Sequence, residues 1–296
     1  MTRYLMLVTA FLLAPPHLFA ASKRSSDTPP GKNYTYKQSA GQPREMEIYF
    51  PPNHDPAKAK VPGLILFHGG GWGGGNLSQF QFACHYFASR GLVAATVNYR
   101  MLSKADAAKL PKGETRKRVC ITDAKSAIRW FKQHAAELGI DPVRVITGGG
   151  SAGGHISVLA TTNPGLNDSA DPKDMDTSVV AYLLFNPAFS AQDSEDAEVD
   201  VLRYLKPTLA PAIVFFGDKD NWKIGWDAAH AKLKSLGNTT TNLQIAEGQT
   251  HSFFNKDPWR AVTLIAADRF QVQQGLLKGE PTLAAPVTGE KLVKKP

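Results

Sequence analysis

Fifteen residues near the middle of the chain, Asp141 to His155, constrain the fold more than any others. They read as a turn, a short apolar strand over Val143–Thr147, a run of glycines with one serine at its tip, and a helix start. Within them lies G-x-S-x-G, as Gly149-Gly150-Ser151-Ala152-Gly153. A strand that passes straight into a helix through such a corner lifts a serine hydroxyl out of the sheet edge. The flanking glycines remove Cβ atoms where strand and helix backbones crowd together. A turn held under strain implies a task for the serine. Glycine-rich turns are common, however, so the motif needs partners elsewhere in the chain.

The rest of the sequence supplies a frame for that corner. Alternation predicts strands at Tyr34–Lys37 and Glu45–Phe50, and apolar runs predict strands at Val61–Phe67, Leu92–Asn98, Val179–Phe185, Ala212–Phe216 and Thr241–Ala246. Helical spacing fills Phe80–Ser89, Lys117–Leu138 with Gly139 as its stop, Ala152–Thr161, Trp226–Leu236 and Pro258–Leu277. Short buried strands alternating with helices predict an α/β fold, a mostly parallel sheet of about eight strands with helices on both faces. The first two strands form an antiparallel hairpin at one edge.

The ends read differently. Arg3, the apolar run Tyr4–Ala14 and the small residues after Leu18 predict a secretory signal peptide over residues 1–21, with an uncleaved membrane anchor as the competing reading. Residues 22–33 read as a polar, Pro-containing linker, residues 34–277 as one domain, and residues 278–296 as a disordered tail. The expected localisation is secreted or periplasmic. After removal of the signal no stretch approaches membrane-spanning length.

Charge and motifs narrow the function. The formal net charge is +8, but the cations are scattered. The densest stretch, Lys104–Arg118, carries six basic and two acidic residues and no aromatics, unlike a nucleic-acid face. A basic surface can still draw in acidic polymers. No C-x-x-C or H-E-x-x-H is present, and no phosphate-cradling glycine loop follows a strand, so neither a metal nor a nucleotide cofactor is expected. Cys84 and Cys120 are compatible with one disulfide or with two buried thiols.

A nucleophilic serine needs a base, and the base needs an orienting acid. In such sheets these groups stand at the carboxyl ends of strands. Gly217-Asp218-Lys219-Asp220 follows one later strand, and Glu247-Gly248-Gln249-Thr250-His251 follows the next. Asp220 lies 69 residues after Ser151, and His251 a further 31 on, room for one strand–helix unit between successive members. Upstream, His68-Gly69-Gly70-Gly71-Trp72 follows the strand ending at Phe67, a loop type whose backbone N–H groups can face a substrate oxygen.

With these four motifs in this order, the chain resembles the α/β-hydrolase superfamily. It is most similar to the HGGG-type carboxylesterases of the hormone-sensitive-lipase-like group and to the carbohydrate-associated acetyl and feruloyl esterases. The likeness runs from about Tyr34 to Gly275 and takes in Asn98-Tyr99-Arg100 and Asp123. It implies Ser151 as nucleophile, His251 as general base and acid, and Asp220 as its orienting partner. It implies an oxyanion hole from the N–H groups of Gly70, Gly71 and Ala152, each such donor being worth about 3–4 kcal/mol of barrier. The family pattern favours Asp220 over its rival Asp218. Trp72 either lines the substrate pocket or packs the loop. His68 reads as a loop-holding residue, His155 as packing near the serine, and His85, His134 and His230 as surface or packing residues. Asn167, Asp168, Asp171, Asp174 and Asp176 lack calcium-loop spacing and read as a solvated loop.

Unlike many lipase-like relatives, the chain has only a short insertion, Pro187–Ala210, where a helical cap would lie. A minimal cap and open site suit short-acyl (acetyl) or feruloyl esters on carbohydrate. The alternatives are an amidase, formamidase-like or exopeptidase hydrolase of the same fold, and, from another class, a non-catalytic binding protein.

Overall fold

The computed structural model describes residues 28–39 and 41–295. The expected signal peptide and residues 22–27 of the expected linker lie outside the described residues. The elements in chain order are β1 (Lys32–Ser39), β2 (Gln42–Tyr49), β3 (Val61–Phe67), α1 (Gln81–Ser89), β4 (Val93–Val97), α2 (Lys104–Ala107), α3 (Arg116–Gln133) and α4 (Ala135–Leu138). They continue with β5 (Ile140–Gly150), α5 (Ala152–Thr162), β6 (Ala181–Phe185), α6 (Val201–Tyr204), β7 (Ala212–Gly217), α7 (Lys223–Ser235), β8 (Thr241–Ala246), α8 (Trp259–Gln273) and β9 (Leu292–Lys295).

The strands form one sheet in the order β1-β2-β4-β3-β5-β6-β7-β8-β9. The run from β4 to β8 is parallel, while β1, β2 and β9 pair antiparallel with their neighbours. Strand alternation decides the two core layers. Ile65, Phe67, Tyr182 and Leu184 face the layer covered by α3, α5 and α7, where Phe131, Leu159 and Trp226 pack. Leu64, Leu66, Leu183 and Phe185 face the opposite layer, covered by α1 and α8 with Phe87 and Phe270.

Local sequence explains the helix limits. Thr115 caps α3 by accepting from the Arg118 N–H at 3.3 Å. The predicted single helix to Leu138 divides at His134, whose ring stacks on Trp130 at 4.0 Å and whose Nδ1 lies 2.8 Å from the Trp130 carbonyl. Gly139 stops the second piece in the left-handed conformation, φ 66°.

Two expectations change. The tail read as disordered supplies β9, which makes the sheet nine-stranded rather than about eight. Its register runs from Leu243 opposite Lys295 to Ala246 opposite Leu292. Without it β8 would present an edge of unpaired N–H and C=O groups. The start of the tail is held by Arg90, whose guanidinium donates to the Lys278 carbonyl at 2.9 Å and the Gly279 carbonyl at 3.2 Å. Of the two readings of the cysteines, the structure has the buried free thiols. Cys84 lies in the α1 layer and Cys120 in the α3 layer, so the sheet separates them. Among the described residues no helix is long and apolar enough to cross a membrane.

Candidate active site

The carboxyl ends of β3, β5, β6, β7 and β8 meet around Ser151. β5 runs through Gly148, Gly149 and Gly150, and Ser151 then takes φ 51° and ψ −117° before α5 begins. The reason for the glycines is measurable. A Cβ on Gly149 would stand 2.2 Å from the Phe67 carbonyl oxygen, and one on Gly153 only 1.9 Å from it. The corner therefore exists only because both positions lack side chains. It is pinned by three backbone bonds: the Ser151 N–H donates to Phe185 O at 2.9 Å, and Ser151 O accepts from Ala188 N at 3.0 Å and His155 N at 3.2 Å.

The three residues predicted to act together are together. His251 Nε2 lies 2.8 Å from Ser151 Oγ, and its Nδ1 lies 2.8 Å from Asp220 Oδ2. With the ring proton on Nδ1, His251 donates to the carboxylate and accepts from the serine hydroxyl. Asp220 is buried, and its other oxygen accepts from the Trp222 N–H at 2.9 Å. Asp218, the rival acid, is exposed and makes no side-chain hydrogen bond among the described residues.

The HGGG loop stands against the serine: a Cβ on Gly69 would lie 3.2 Å from Ser151 Cβ. Gly70 and Gly71 take φ 122° and 60°. Among the described residues their N–H groups, and that of Ala152, have no hydrogen-bond acceptor, whereas the Gly69 N–H donates to Gln79 Oε1 at 2.6 Å. The loop is carried on a buried scaffold. His68 donates from Nδ1 to Gly69 O at 2.7 Å, stacks on Tyr99 at 4.5 Å, and has its pKa lowered by burial to about 4. Tyr99 donates from its hydroxyl to His68 O at 2.6 Å. Arg100 and Lys37 both pair with the fully buried Asp123 of α3, at 2.8 and 2.9 Å. The Asn98-Tyr99-Arg100 and Asp123 signals thus have a structural account: Tyr99 holds His68 of the loop, and Arg100 and Asp123 tie the segment that carries Tyr99 to α3.

Other candidates find different duties. Trp72 is 8% exposed and packs edge-on to His155 and Trp222, with Lys117 Nζ 4.2 Å from its ring centre, so its contacts are those of loop packing. His155 is buried and donates from Nε2 to Val199 O at 2.9 Å. His85 meets Tyr49 edge-on, and His230 stacks on Trp226. Three of the four loop carboxylates are tied to cations: Asp168 to Lys37, Asp171 to Arg129 and Asp176 to Lys132. They are a fastening rather than a freely solvated loop. The short insertion Pro187–Ala210 carries one 3-10 turn and α6, and it is bound to the start of α3 by Lys117 to Asp193 and Arg118 to Asp196.

Two site residues carried no motif. Asn186, at φ 42° after β6, is buried. Its Oδ1 accepts from Ser252 N at 3.3 Å, and its Nδ2 stands 3.3 Å from both His251 ring nitrogens. The available signal was its place at the carboxyl end of a strand and the tolerance of asparagine for left-handed backbone. Gln79 joins the Gly69 N–H to Asn255 Oδ1, the latter at 3.0 Å. Asn255 in turn donates to Ser252 O at 3.1 Å. One amide chain therefore links the HGGG loop to the His251 loop, and nothing in the spacing announced it.

The chain is similar to known proteins. The family model BD-FAE matches residues 46–183. Carboxylesterase NlhH of Mycobacterium tuberculosis is 34% identical over 116 residues, 38% of this chain and 32% of that protein. The probable carboxylic ester hydrolase LipM of the same species is 27% identical over 229 residues, 77% of this chain and 43% of that protein. The chain therefore spans about a third to two fifths of the length of these curated relatives. Esterase 2 of Thermogutta terrifontis superposes with a TM-score of 0.77 at 31% identity, covering 86% of this chain and 98% of that one. The same esterase is known phosphonylated by cyclosarin. The chain belongs to the α/β-hydrolase superfamily and, within it, to the HGGG-type carboxylesterase family.

Proposed function

We propose that the chain is an exported serine carboxylesterase that removes short acyl groups, acetyl above all, or feruloyl groups from carbohydrate. The observation that carries the reading is the unbroken series Ser151–His251–Asp220, two contacts of 2.8 Å, beside three N–H groups without an acceptor among the described residues.

In this reading Ser151 Oγ attacks the ester carbonyl as His251 Nε2 takes its proton. Asp220 keeps the other ring proton on Nδ1 and stabilises the imidazolium. The carbonyl oxygen, now negative, is met by the N–H groups of Gly70, Gly71 and Ala152. Collapse expels the alcohol, which takes the proton from His251 Nε2 and leaves an acyl-serine. A water then repeats the sequence, giving its proton to His251 and releasing the acid.

The short-acyl part rests on the small insertion over the site, and on the propionate- and butyrate-bound forms of the Thermogutta esterase. The carbohydrate part is supported by the net positive charge, which can draw in acidic polysaccharide. Export is supported by the apolar segment after Arg3. The test is hydrolysis of p-nitrophenyl acetate by Ser151→Ala. The expected loss is on the order of 10⁶-fold in kcat, with an unchanged unfolding midpoint. Retention of most activity would refute the assignment. Export is tested by the N-terminal sequence of protein recovered from outside the cytoplasm, which should begin near Ser22.

A further inference from the structure

A cleft of about 610 Å³ opens beside Ser151, between the HGGG loop, the segment after it, and the loop that carries His251. Its size is that of a small-molecule site, and beside apolar surface it carries more polar side chains than such sites usually do: Asn76, Ser78, Gln79, Gln81, Asn255 and Arg260. Gly69 and Gly70 form one wall, and Ser252, the residue after His251, stands on another. The cleft is thus bordered by the loop that faces Ser151 and by the loop that carries His251.

We propose that this cleft is the subsite for a polyhydroxylated leaving group, the sugar portion of the ester. The inference rests on the serine esterase reading and adds to it where the sugar lies and which residues hold it. The leaving alcohol must reach His251 Nε2 to take its proton, and the residues that follow His251 in the chain line the cleft.

The hydrogen-bond inventory supplies the ligand chemistry. Asn76 Oδ1 is occupied by Ser78, accepting its N–H at 2.9 Å and its hydroxyl. The Asn76 Nδ2 donors have no acceptor among the described residues. Asn255 spends one amide hydrogen on Ser252 O at 3.1 Å and keeps one. Arg260, held by Asp257 through one terminal nitrogen, has its Nε buried without a partner. The guanidinium lies 4.3 Å from the centre of Phe82, the one aromatic ring of the lining. The spare amide donors of Asn76 and Asn255 along the cleft call for a ligand dense in oxygen acceptors: ring, glycosidic and hydroxyl oxygens. A hydrocarbon alcohol would leave them unpaired once water is displaced.

The test compares two substrates in the full-length enzyme: an acetylated xylo-oligosaccharide and p-nitrophenyl acetate. Asn76→Asp keeps the acceptor for Ser78 and removes the amide donors. Ser78→Trp fills the cleft. Each variant should lower the ratio of kcat/KM for the sugar ester over the aryl ester by about tenfold, the loss of roughly one well-placed hydrogen bond. The loss should appear chiefly in KM for the sugar ester. An unchanged ratio in both variants, or a parallel fall for both substrates, would overturn the subsite. The esterase reading is judged separately: a wild-type enzyme inert toward p-nitrophenyl acetate and toward a fluorophosphonate would sink that reading, whatever the cleft variants do.

Discussion

Gly153→Ala tests whether the nucleophile corner depends on close backbone approach. A Cβ at Gly153 would stand 1.9 Å from Phe67 O and 2.6 Å from His68 O. An ordinary carbon–oxygen contact needs about 3.3 Å, so β3 and the start of α5 must separate by about 1.4 Å. Overpacking of this kind typically destabilises by about 1–3 kcal/mol. The functional loss should be larger. Phe67 leads directly into the HGGG loop, and the same movement pulls Gly70 and Gly71 away from Ser151. A displacement near 1 Å at reacting groups lowers rates by about a hundredfold. The assay is urea unfolding together with p-nitrophenyl acetate kinetics. The control is Gly74→Ala, in the same loop, where a new Cβ meets only Gly70 O, at 3.7 Å. Gly153→Ala should lose about 2 kcal/mol and about two decades of kcat, and Gly74→Ala little of either. Wild-type kcat and stability in Gly153→Ala would refute the close-approach argument.

Further expectations follow from other parts of the molecule. Gln79→Leu should lower kcat about tenfold or more with KM moving less than twofold. It should also be non-additive with Asn255→Leu, because both cut one amide chain; additive effects would break the link between the two loops. Asp123→Ala leaves Lys37 and Arg100 without their shared buried carboxylate, and urea unfolding should show a loss of about 3–5 kcal/mol. A loss within experimental error would remove Asp123 from the scaffold. His68 brings a pH dependence. Burial holds its pKa at about 4, against an ordinary value of 6.5, so from pH 6.5 down to 4 the unfolded chain binds the extra proton. Stability should fall with pH across that window by up to about 3 kcal/mol. The fall should be correspondingly smaller in His68→Gln, and equal slopes would contradict the buried neutral ring.

The sequence made legible whatever repeats a physical rule. Alternation in the first two and apolar runs in the rest located the eight strands from β1 to β8, because burial and turn geometry act within a few residues. Ser151, Asp220 and His251 were readable because each follows a strand at the same sheet edge, and the structure brings all three together. What stayed hidden depends on long-range pairing. Residues 292–295 have too few apolar side chains to announce a strand, and their order comes from the open edge of β8. Gln79 and Asn186 are ordinary amides whose roles come from meeting loops 176 and 66 positions away. The loop acids Asp168, Asp171 and Asp176 looked solvated because their cations sit on β1 and α3.

The central claim is that Ser151 is a nucleophile activated by His251 and Asp220. The most direct measurement is the rate and location of fluorophosphonate labelling, followed by intact and peptide mass in the wild type, Asp220→Asn and Asp218→Asn. The account predicts one adduct per chain, on Ser151. Labelling should slow on the order of 10⁴-fold in Asp220→Asn and hold its wild-type rate in Asp218→Asn. An adduct on another residue, no adduct at all, or equal slowing in the two variants would contradict it.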